Sequence, residues 1–108
     1  MSNFLYKDSH IIDLNSQWID DSLVRTVTRH FGKKNKIMVD VTEITCGTTS
    51  KKRAINAACQ AARRVGCISV DCSNVSDSEI VRESMDIRTD EPTRTNIRTM
   101  TFAFDGIE

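Results

Sequence analysis

Apolar residues recur along this chain in several different rhythms, and each predicts an element. His10-Ile11-Ile12-Asp13-Leu14 is a short apolar run that reads as a strand. Ile19, Leu23, Val27 and Phe31 then recur at helical spacing with Val24 beside them, which predicts an amphipathic helix. Asn15 or Ser16 would cap that helix, Asp20 and Asp21 would sit in its early turns, and Gly32 would end it. Trp18 belongs to its packing. After the polar connection Lys33-Lys34-Asn35-Lys36 comes the clearest strand, Ile37 to Ile44, rich in β-branched residues. A second helix is expected from about Ser50 to Val65. Ala54, Ile55, Ala58, Cys59, Ala62 and Val65 would form its buried face, and Gly66 would close it.

The last third is strand-like throughout. Cys67 to Cys72 begins a strand that Glu79 to Met85 continues, past an irregular Asn74-Val75-Ser76-Asp77. Arg88 to Arg94 reads as a polar turn carrying Pro92, the only proline. Asn96 to Phe104 returns, with Arg98, Met100, Phe102 and Phe104 on one face and Ile97, Thr99, Thr101 and Ala103 on the other. The order is β-α-β-α-β-β. Strand–helix–strand units favour parallel pairing and right-handed crossovers. The expected fold is therefore a two-layer α/β domain: a four-stranded mixed sheet, two helices on one face, and a long terminal β-hairpin.

Composition sets bounds on this picture. The chain has 108 residues, 39% hydrophobic and 28% charged, which fits one ordinary globular domain with a core over about residues 9–105. No apolar run approaches the ~20 residues of a membrane span, and the start MSNFLYKDSH lacks a signal-peptide stretch. Cys46, Cys59, Cys67 and Cys72 form no C-x-x-C pair, so neither a zinc site nor a secreted disulfide framework is expected. They read as reduced, mostly buried thiols of an intracellular protein.

Charge is zero overall but uneven. Residues 33–66 hold eight cations against Asp40 and Glu43, whereas residues 67–108 hold four arginines against nine carboxylates. Lys51, Lys52 and Arg53 stand at the start of the second helix, where the dipole disfavours cations by a few tenths to about 1 kcal/mol. A placement that opposes folding points to a polyanion lying there. Catalytic readings fare worse. A cysteine phosphatase loop at Cys46 needs an arginine six positions on, but that position is Lys52 and Arg53 is one too far. A P-loop is absent, His10 and His30 have no nucleophile partner in sequence, and no cofactor, metal or small-molecule substrate is implied.

The order of elements, Arg53-Ala54-Ile55-Asn56 on the second helix, Asn74 to Glu83, and Thr89 to Arg98 running into the last strand together resemble the Alba family of nucleic-acid-binding proteins. Within it, they are most similar to the smaller Alba-type subunits of nuclear ribonuclease P and ribonuclease MRP. That resemblance implies a non-catalytic subunit that binds structured RNA as a heterodimer with a second Alba-type subunit. The setting it implies is the nucleus or nucleolus, in tRNA and rRNA precursor processing. Phosphates would meet Lys51, Lys52 and Arg53, helped by Lys33, Lys34 and Lys36, with Arg88, Arg94 and Arg98 of the hairpin flanking them. The loop Asn15-Ser16-Gln17 carries no cation where many Alba proteins carry lysines, which favours sharing the RNA with a more basic partner. An Alba-type homodimer on DNA or messenger RNA is the alternative.

Overall fold

A computed structural model describes residues 9–67 and 72–107. They form five strands and one helix: β1 (Ser9–Ile19), β2 (Ser22–Phe31), β3 (Lys36–Thr45), α1 (Lys51–Arg64), β4 (Ser73–Asp86) and β5 (Glu91–Asp105). Every pairing is antiparallel, and the strands lie in the order β1-β2-β3-β5-β4. This overturns the expected four-stranded mixed sheet with two helices, and with it the Alba-like fold.

The correction lies between residues 15 and 31. The expected first helix is strand, and β1 and β2 form one hairpin turning at Asp20-Asp21. Its stripe of Leu23, Val27 and Phe31 has a spacing of four, which is even, so these residues also share one face of a strand. The intervening Ser22, Val24, Thr26 and Thr28 are buried on the other face. Val24, Thr26, Val27 and Thr28 are β-branched, and that density favours the extended backbone. Turn chemistry agrees. Asp20, Asn35 and Asp90, one in each hairpin turn, adopt the left-handed conformation that Asp and Asn tolerate best outside glycine.

β3 and α1 follow their sequence patterns. The helix begins when the Ser50 side chain accepts the Arg53 N–H at 3.1 Å, and it ends before Gly66, whose φ of 84° suits glycine. Its buried stripe is Ala54, Ala57, Ala58, Ala61 and Ala62, while Ile55 is 38% exposed and not part of it. Alanines let the helix lie close against Ile37, Val39 and Val41 of β3 and Met100, Phe102 and Phe104 of β5. The apolar face of the last strand is thus core.

The predicted hairpin exists with shifted limits. The irregularity near Asn74 is a bulge between Asn74 and Ser76, and the strand starting at Cys67 falls largely outside the described residues. The turn is residues 87–90. Pro92 lies in β5 opposite Met85, beyond the end of β3, where no further strand needs its N–H. Cys67 is buried, but Cys59 and Cys72 are half-buried and Cys46 is exposed, so the thiols are less sheltered than expected.

One core group is unsatisfied among the described residues. Thr28 is fully buried opposite Val39, and its hydroxyl has no hydrogen-bond partner there. Thr28→Val keeps the shape and removes that cost, so it is expected to raise stability by about 1 kcal/mol, read as a higher urea midpoint. A fall of similar size would mean the hydroxyl is satisfied after all.

Candidate functional site

The helix covers one face of the sheet only. The molecule measures 53 × 32 × 19 Å, and its thinnest dimension matches one sheet plus one helix. Strand register reveals what lies on the uncovered face. Trp18 pairs with Leu23, Leu23 with Ile44, Ile44 with Ile97, and Ile97 with Ile80, giving an unbroken apolar row across all five strands. The next row on that face is polar: Ser16, Arg25, Thr42, Thr99 and Ser78. Beyond it lie Leu14, Val27, Asp40, Thr101 and Ser76, then Ile11, Arg29, Met38, Ala103 and Ser73. Trp18 is 71% exposed and Leu14 68% exposed, so neither packs in a helix or in the core.

Side-chain size on this face is graded. β1 and β2 present Trp18, Leu14, Ile11, Leu23, Val27, Arg25 and Arg29, whereas β4 and β5 present mostly Ser, Thr and Ala. One half of the face stands tall and the other half low. Arg29 pairs with Asp40, which also accepts the Thr101 hydroxyl at 2.7 Å, while Arg25 is exposed with no carboxylate partner among the described residues.

A second feature adjoins the apolar row. β4 and β5 run on past the last β3 pairing, Thr45 with Asn96, for five further pairs from Arg82–Thr95 to Asp86–Glu91. This arm reaches about 17 Å beyond the sheet at ~3.4 Å per residue. It carries exposed Met85 and Ile87, the latter 95% exposed.

The predicted RNA contacts are split between the two ends of the sheet. Lys51, Lys52 and Arg53 begin α1 beside the end of β3, the same end as the arm with Arg88 in its turn and Arg94 on its strand. Lys33, Lys34 and Lys36 lie at the other end, roughly 30 Å away along β3. Most of these cations already have carboxylate partners. Arg53 binds buried Glu43 and lies 3.6 Å from Asp20. Lys51 is 3.9 Å from Asp77, Arg94 is 2.9 Å from Glu83, and Lys36 is 3.1 Å from Asp105. Arg98 clamps Asp77 with two bonds of 2.9 and 2.6 Å and faces Glu79 at 3.8 Å. Lys34 and Lys52 are exposed without such a partner among the described residues. Sequence reasoning missed the apolar row because it placed Trp18 and Leu23 in a helix. The signal it left unused was the outward face of the two well-read strands, which ends in Ile44 and Ile97.

The Arg98 clamp, with help from Lys51, holds the Asp77 carboxyl below its usual range, and Arg98 is raised in return. Because Asp77 binds its proton less readily when folded, the clamp stabilises fully above the ordinary aspartate pKa and is lost as pH falls through the lower folded value. Asp77→Asn should therefore flatten the acid limb of unfolding free energy measured between pH 5 and 2. An unchanged limb would show that the clamp contributes nothing to folding.

Among the described residues no group of three or more His, Cys, Asp or Glu is placed to hold a metal ion. No helix of the described residues is long and apolar enough to cross a membrane. No protein-family model, curated protein or solved structure matches the chain.

Proposed function

We propose that this chain is a non-catalytic assembly subunit whose uncovered sheet face docks a second copy of itself. One observation carries the reading: a five-stranded sheet with a helix on one side and a continuous apolar row, Trp18-Leu23-Ile44-Ile97-Ile80, on the other. An apolar row running edge to edge and rimmed by polar residues is the kind of surface that marks an interaction site. Five strands at about 4.8 Å and ten residues at ~3.4 Å give a footprint of roughly 800 Å² per copy, the size a stable dimer uses. The tall and low halves favour a copy of the same chain over an arbitrary partner, because each half supplies the shape the other lacks. Sedimentation equilibrium at tens of micromolar tests this. The expected mass is twice the 12.2 kDa of one chain. A stable monomer would end the proposal.

A second reading keeps structured RNA as a ligand of that assembly. It is favoured by exposed Lys52, by Lys51 held only at 3.9 Å, and by the arginines of the arm at the same end. Arg53 is left out of it as the partner of Glu43. Lys51→Ala with Lys52→Ala should lower the slope of RNA affinity against salt by about 1.4–1.8, two contacts at ~0.7–0.9 each. An unchanged slope would assign both lysines to solvation.

A further inference from the structure

We propose that the two copies are related by a two-fold axis running parallel to the strands over β3, so that β1 of one copy lies on β4 of its partner. This rests on the face-to-face reading above and specifies its geometry. Two symmetric arrangements of one flat face on itself keep the apolar rows in register. An axis across the strands would set β1 on the partner's β1, tall on tall, and β4 on β4, low on low. That leaves Trp18 against Trp18 at one edge and, at the other, Ile80 against Ile80 with Arg82 over the small Ser78. The axis along the strands sets tall on low throughout. Trp18 then meets the partner's Ile80, Leu23 meets the partner's Ile97, and Ile44 meets its own counterpart at the axis. On the same lines, Leu14 meets the partner's Ser76 and Val27 the partner's Thr101. Layers of protein interior pack by such alternation of large against small.

Charge makes the same choice. Two residues beyond Ile80 on that face, β4 carries Arg82, exposed and without a carboxylate partner among the described residues. Two to three residues beyond Trp18, the β1–β2 turn carries Asp20 and Asp21. Asp20 is taken by Arg53, while Asp21 is exposed and unpaired among the described residues. With β1 over the partner's β4, Arg82 comes to lie beside the partner's Asp21, twice by symmetry. With the axis across the strands, Arg82 faces Ser78 of the other copy and the aspartates face Ser16, so both charges are stranded at the rim. Opposite charges in this position fix register more than they add affinity. Both arms then point the same way from one end of the dimer.

Cross-linking separates the two arrangements. In a background with Cys46, Cys59 and Cys72 changed to Ser, Trp18→Cys and Ile80→Cys are made as separate proteins, treated with a short bis-maleimide alone and after mixing. Both sites are exposed, so neither change touches the core. The mixture is expected to give a cross-linked dimer well above either protein alone. Strong self-cross-linking of each protein by itself would establish the other axis and overturn the proposal. No cross-link in any sample, with the unmodified chain still sedimenting as a dimer, would overturn this geometry while sparing the dimer. A monomeric unmodified chain would remove both. As a second readout, Arg82→Glu is expected to weaken the dimer about five-fold, and adding Asp21→Arg to restore it. Failure of that restoration in a cross-linking-competent dimer would exclude the ion pair.

Discussion

Glu43→Ala is expected to cost about 3 kcal/mol of folding stability, read from urea unfolding. Glu43 is 2% exposed on the helix-facing side of β3. Its carboxylate accepts the Ser50 N–H at 2.8 Å and binds the Arg53 guanidinium, and Ser50 in turn caps the helix through Arg53 N–H. One acidic side chain thus ties the first turn of α1 to the centre of the sheet. Removing it leaves a half-buried amide and a largely buried guanidinium short of their acceptor, with only Ser22 at 3.4 Å and the exposed Asp20 remaining to Arg53. Breaking one side of a buried pair usually costs about 3–5 kcal/mol, and the partial exposure of Arg53 places this case at the lower end. Pairing Glu43→Leu with Arg53→Met should recover much of the loss, because both charges then leave together. A loss under about 1 kcal/mol for Glu43→Ala would mean that water already serves these groups.

The largest effect on association is expected from Ile44→Asp. Ile44 lies at the middle of the apolar row and on the central strand, so in the two-fold arrangement the new carboxylates face each other across a dry contact. Two like charges buried together cost several kcal/mol, and residues at the centre of an interface dominate its energy. The dimer should dissociate by at least about a hundred-fold, seen as the monomer mass at the concentration where the unmodified chain is paired. Far-ultraviolet circular dichroism should be unchanged, since the core lies on the other face. A dimer that survives would move the contact elsewhere, the arm being the next candidate.

What could be read from the sequence, and what could not, follows from periodicity. β3 and β5 alternate cleanly, and both faces of Asn96–Phe104 were assigned as the structure has them. The alanine-rich helix was equally plain from Ser50 and Gly66, although its buried face takes in Ala57 and Ala61 and leaves Ile55 exposed. The stretch from Asn15 to Phe31 was ambiguous because a repeat of four is compatible with a helix and with a strand. There Asp20-Asp21, read as an acidic first turn, is a hairpin turn with Asp20 left-handed. Misreading it turned one strand into a helix, cut another short, and made antiparallel neighbours parallel. The charged residues were found but not their partners. Glu43 reaches Arg53 from the strand just before the helix, and Asp77 reaches Lys51 and Arg98 from β4, pairings that periodicity alone does not reveal.

The position of β5 between β3 and β4 sets the order in which the chain can be completed. β1, β2 and β3 are consecutive and close by local turns, so they can pair as soon as they emerge during synthesis. β3 then waits for its second neighbour until residues 96–105, some fifty positions later, have been made. Through that interval Ile37, Val39 and Val41 can be roofed by α1 but not walled in by Met100, Phe102 and Phe104. Contacts of such long sequence separation are slow to form and leave strand edges open to other chains. Residues 96–105 are therefore the part whose arrival gives the waiting meander its second neighbour.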